Sequence, residues 1–181
     1  MALRPLLIGG LVGGIVVFIW GAASWMVLPW HEATLKRFSN EDVVAVTLDA
    51  YAPDTGVYFL SPGMDESGKP AEDREIGRVV FAAIQPPMPS MNAAMLQNLV
   101  AQILAALLVT WLVLKAALPA FGQRVLLVLA FAAAASLVGI VPNWIWWGFS
   151  TSYTLVNVAD MLIGWGLAGL VIAWAAAPQT A

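Results

Sequence analysis

Four long runs of this chain hold almost no charge, and that blocking of apolar residues leaves few folds open to it. Leu6–Leu28, Ala93–Leu114 and Val125–Val141 carry no charged side chain, and Leu155–Ala177 carries Asp160 alone. Crossing about 30 Å of hydrocarbon at 1.5 Å per residue takes roughly 17 to 25 residues, so each run is long enough. Inside a bilayer no water satisfies the backbone, which requires such runs to be helices. The pattern predicts an all-α membrane protein, a four-transmembrane-helix bundle with spans at about 5–30, 92–117, 123–142 and 154–177. A small α+β extramembrane insertion, residues 31–91, separates the first and second spans. Composition agrees, since 61% hydrophobic and 10% charged residues in a chain of 181 are outside the range of ordinary soluble domains.

The first run follows Met-Ala-Leu-Arg and contains small residues at Gly21 and Ala23, features shared with signal peptides. Its apolar core is longer than a usual signal core, so a retained span is expected. Four spans put both termini on one side. Arg4, Lys115 and Arg124 flank that side, whereas the link Pro142–Thr154 has no basic residue. The positive-inside rule then predicts cytoplasmic termini and an exported loop 31–91, with Lys36 and Arg37 pulling the other way. The expected setting is a bacterial inner membrane with the loop on the periplasmic side.

That loop is acidic and the chain has no cysteine, which removes disulfides, thiolate metal sites and iron–sulfur clusters. Ser39 ahead of Glu41 and Asp42 predicts a helix over about 40–51, ended by Pro53. Val57–Ser61 and Arg78–Ile84 read as a hairpin flanked by turn residues. Gly63–Lys69 matches the Gly-x4-Gly-Lys part of a phosphate loop, but Pro70 stands where a magnesium-binding hydroxyl belongs and two acids sit where phosphate would. A solvated turn is the expectation there. Neither a cofactor nor a metal site nor nucleic-acid binding is expected.

Gly9, Gly10, Gly13 and Gly14 form small-xxx-small pairs in the first span, and Gly164 and Gly169 recur in the last. Such pairs permit close helix approach, expected here within the bundle, with a homodimer seam as the alternative. His31, the only histidine, is expected as a polar interfacial residue beside an anchoring Trp30. Five of the nine tryptophans (Trp25, Trp30, Trp144, Trp146 and Trp147) fall on the loop side. They read as a deep anchor in one leaflet or as an aromatic rim around a site.

A carboxylate at mid-helix costs about 2.5 to 3.5 kcal/mol in hydrocarbon, so Asp160 needs partners or a use. Depth counted along each helix places Asn98, Gln102, Asn157, Ser24 and Ser136 in the same layer. Asn98 and Gln102 are four apart, Asn157 and Asp160 three apart, as a shared helix face requires. The layer reads either as a polar clasp or as a small cavity for a headgroup, a proton or a polar ligand. The run Ser24–His31 is distinctive without pointing to an activity. The leading expectation is a non-enzymatic accessory subunit or assembly partner of a larger membrane complex. The alternative is a lipid, ligand or proton-coupled transport module built on the Asp160 layer. Expected partners are the bilayer and either another membrane subunit or a second copy of the chain. An enzyme using Asp160, His31 and a serine ranks third, because no spacing in the sequence puts a nucleophile and a base within reach.

Overall fold

The computed structural model describes residues 3–60, 80–84 and 90–177. The phosphate-loop-like run Gly63–Lys69, the start of the second strand at 78–79 and the tail at 178–181 lie outside the described residues. The chain divides into two units, residues 1–35 with 90–181 and residues 36–89.

The larger unit contains α1 (Leu3–Met26), α3 (Met91–Ala116), α4 (Phe121–Gly139), α5 (Val141–Trp147) and α6 (Thr151–Ala175), and the smaller contains α2 (Glu41–Tyr51), β1 (Gly56–Leu60) and β2 (Val80–Ile84). Four helical segments, Leu3–Met26, Met91–Ala116, Phe121–Trp147 and Thr151–Ala175, are long and apolar enough to cross a membrane. They suggest a membrane protein. The third runs through α4 and α5 almost without a break. Part of the stretch read as an uncharged link is therefore helical. Pro142, near the N-terminus of α5, has its fixed φ where a helix tolerates it, and Gly148 ends the turn at φ 68, a conformation that favours glycine.

Side-chain caps set several boundaries. Ser90 Oγ accepts the Ala93 N–H and Ser150 Oγ the Tyr153 N–H, satisfying donors that a helix start leaves open. In α2 the cap is Asn40, whose Oδ1 accepts the Val43 N–H, not Ser39 as the sequence suggested. Either side chain can cap; the extended backbone at Asn40 decides which one does. β1 and β2 pair antiparallel with Gly56 opposite Ile84 and Leu60 opposite Val80, close to the expected hairpin.

In the larger unit α1 packs on α3 and α6, and α6 also packs on α4. The close approach rests on small residues. A Cβ on Gly14 would lie 2.5 Å from the Ile103 Cα, and one on Gly9 would lie 2.6 Å from the Thr110 Cγ2. These glycines face α3 of the same chain. The core between the helices is Val17, Ala106, Val109, Val113, Val128, Ala132, Trp165, Ala168 and Ile172.

Arg124 has a place the sequence did not show. Instead of flanking a span at the surface it is buried, with Nε donating to the Ala173 carbonyl and an Nη donating to those of Leu118 and Pro119. A cation belongs at a helix C-terminus, where carbonyls lack helical partners. Arg124 thereby ties the α3–α4 turn to the end of α6.

Candidate functional site

Trp20 and Ser24 are one helical turn apart on the last part of α1, so they present to one face. Beyond Met26 the chain turns, with the Ala33 N–H bonded to the Pro29 carbonyl and the Thr34 hydroxyl donating to the His31 carbonyl at 2.7 Å. The turn carries His31 back over the helix it has just left. His31 is therefore buried within the protein, 1% exposed.

Its ring stacks on Trp25 with centroids 3.9 Å apart and an interplanar angle of 12°, and Trp30 meets it edge-on at 5.5 Å. His31 Nε2 lies 3.1 Å from Ser24 Oγ, which also accepts the Trp30 indole N–H at 2.9 Å. On α6, Asp160 Oδ1 accepts the Trp20 indole N–H at 2.7 Å, while Oδ2 lies 3.6 Å from His31 Nε2. The 2.7 Å bond is short, as expected of a donor meeting a carboxylate. Gly164, one turn further along α6, makes room for the Trp20 ring, since a Cβ there would lie 2.8 Å from its Cδ1.

The Trp30 N–H can only donate, so Ser24 Oγ is its acceptor. The Ser24 oxygen has a second lone pair and a proton of its own, so it can meet His31 Nε2 with either group as donor. His31 Nδ1 is buried and has no hydrogen-bond partner.

Asp160 also faces a cleft of about 600 Å3 between α1, α3 and α6. Asn98 and Gln102 of α3, Asn157 of α6, and Trp20, Trp25 and Trp165 share its wall. The amides do not close on the carboxylate. Gln102 Nε2 donates to Asn98 Oδ1 at 3.3 Å along α3, and Asn157 Nδ2 donates to its own helix at Tyr153 O. Of the six residues read as a polar layer, Asp160, Asn157, Asn98 and Gln102 line the cleft, and Ser24 lies behind its wall against His31. Ser136 is elsewhere, buried and bonded to the Ala132 carbonyl one turn back in α4. Equal depth places residues at one level but not on facing sides of their helices. Trp144, Trp146 and Trp147 are exposed on α5 and do not line the cleft.

Trp20 is the member of the site that sequence reasoning passed over. Its signal was available in two spacings: Trp20 is four before Ser24, and Asp160 is four before Gly164. An indole donor and a glycine seat are what a carboxylate on a neighbouring helix can use.

Ser24, His31 and Asp160 lie close together, yet the arrangement does not fit nucleophilic catalysis. Both oxygens approach the same ring nitrogen, whereas a base needs its second nitrogen held by the carboxylate. Ser24 is 0% exposed and its oxygen already accepts from Trp30. Among the described residues there is also no cluster of three His, Cys, Asp or Glu side chains suited to a metal. No protein-family model, curated protein or solved structure matches this chain.

Proposed function

We infer that this is an integral membrane protein whose cleft between α1, α3 and α6 binds a small amphipathic ligand without transforming it. The lipid setting is supported by where the helices place their side chains. Leu7, Leu11, Ile15 and Ile19 run four apart along the outside of α1, as do Leu96, Val100, Leu104 and Leu108 on α3, all exposed. Small residues point inward. Apolar surface of that extent suits hydrocarbon, and small inward residues suit helix packing within it. By charge bias the termini are cytoplasmic and residues 31–91 are exported, in a membrane of the bacterial inner type.

One observation carries the binding role: Asp160, held by Trp20, faces a cleft of about 600 Å3 whose amides do not close on it. A residue serving only as a clasp would be enclosed by its partners, but the Asp160 side chain keeps 17% of its surface exposed. An ionisable side chain inside a span is costly, and a cleft gives it a use.

A second reading is favoured by the smaller unit, where α2 and the hairpin leave Val46, Tyr51, Val57 and Phe59 exposed. An accessory or assembly role would cover these side chains with a neighbouring subunit. Native mass spectrometry from nanodiscs separates the two: a retained small molecule supports the binding role, and a retained second protein supports the accessory role. Asp160→Asn should leave the fold intact and abolish retention of the small molecule. Unchanged retention with a modest loss of stability would mean that Asp160 is only a clasp.

A further inference from the structure

We propose that the ligand of this cleft is an amphiphile bearing a single ammonium-type cation, which pairs with Asp160. The inference rests on reading the cleft as a binding site and adds the charge and class of its occupant. Among the described residues that line the cleft, Asp160 is the one charged side chain. A lining with a carboxylate and no basic group selects for positive charge and leaves an anion without a partner.

The neighbouring histidine does not fill that need. Nε2 of His31 lies 3.1 Å from Ser24 Oγ, so the hydrogen bond it makes goes to the serine. The 3.6 Å separation between Nε2 and Oδ2 is longer than a hydrogen bond. Trp20 supplies Asp160 with one neutral donor on Oδ1. An ammonium group approaching from the cleft would pair with the exposed part of the carboxylate.

The remaining wall matches the rest of such a molecule. Trp25, half exposed, lines the cleft, and aromatic faces attract alkylammonium and phosphonium cations electrostatically. Met91, Met95 and Met161 line it as well, flexible and polarisable side chains that adapt to an apolar body of variable shape. A zwitterionic lipid headgroup shares the ammonium chemistry but also brings a phosphate, for which the described lining has no cation. The observations therefore favour a free lipophilic cation over a headgroup.

Tetraphenylphosphonium and tetraphenylborate test this directly, being nearly identical in size and shape and opposite in charge. Binding of each is measured to the full chain in phosphatidylglycerol nanodiscs, with binding to empty nanodiscs subtracted. Saturable binding of the phosphonium but not the borate is expected, weakened about ten-fold or more by Asp160→Asn. Gly21→Phe should remove it. Gly21 lines the cleft and nothing lies within 4 Å of a Cβ built there, so a larger side chain begins in open space.

If the borate binds as tightly as the phosphonium, or Asp160→Asn binds the phosphonium unchanged, while Gly21→Phe blocks binding, the cleft is a site but its preference for cations is refuted. If neither ion binds saturably, or Gly21→Phe has no effect, the binding role of the cleft falls and the cation preference with it. Adding phosphatidylethanolamine to the nanodiscs distinguishes the sources of the ammonium. Displacement of the phosphonium would assign the cleft to a headgroup amine, and undisturbed binding would assign it to a free cation.

Discussion

Ser24 is the smallest polar side chain of the site and serves two partners at once. Its oxygen accepts from Trp30 and its hydroxyl faces His31 Nε2, all three groups being largely withdrawn from solvent. Removing it strands the Trp30 N–H and His31 Nε2, and each unpaired buried group costs about 1–3 kcal/mol. Ser24→Ala should therefore lose about 2–4 kcal/mol of stability in detergent, read by thermal or steric-trap unfolding. Ser136→Ala should lose less than about 1 kcal/mol, because its hydroxyl bonds only a carbonyl of its own helix, which keeps its backbone donor. Equal losses at the two serines would show that the Trp30–Ser24–His31 contacts contribute little. The difference between these residues was not legible in the chain, where both are lone serines at similar depth. It arises from the return of His31 and Trp30 over α1, set by a turn of a few residues.

Helix pairing in the larger unit depends on glycine in a way that varies along one helix. At Gly14 a methyl group would meet the backbone of Ile103, with N at 2.8 Å, and backbone cannot rotate away. At Gly21 the same methyl would meet nothing within 4 Å. Gly14→Ala should thus push α1 from α3 and cost about 1–3 kcal/mol, the usual range for overpacking. Gly21→Ala should be neutral or gain up to about 1 kcal/mol from helix propensity. Similar unfolding midpoints for the two variants would contradict the packing described. The spacing of Gly9, Gly10, Gly13 and Gly14 made a close contact legible, and Gly21, outside that cluster, is the one facing open space. The partner helix was not legible, since small-xxx-small spacing fits a second chain as well as a second helix.

The orientation of the whole protein can be tested cleanly because the native chain contains no cysteine. Asp49→Cys places a thiol on α2 in the loop unit, and Gly122→Cys places one in the first turn of α4, where a Cβ meets nothing within 4 Å. A membrane-impermeant maleimide added to intact cells should label Asp49→Cys and leave Gly122→Cys unlabelled until the membrane is opened. The reverse pattern would invert the protein, and labelling of both in intact cells would exclude the four-span arrangement.

The sequence alone determined the four long apolar helices and their order, because length, hydropathy and the backbone's need for hydrogen bonds act locally along the chain. It also singled out Asp160, since one charge among so many apolar residues has to be explained. The three-dimensional arrangement decided which groups serve that charge. Trp20 reaches it across 140 residues, His31 folds beside it, Ser136 stays with its own helix, and Asn98, Gln102 and Asn157 share its cleft without closing on it. Those outcomes depend on how each helix is rotated and where the turn after α1 lands. Both are settled by packing between segments far apart in the chain, and neither is set by the residues next to the ones that matter.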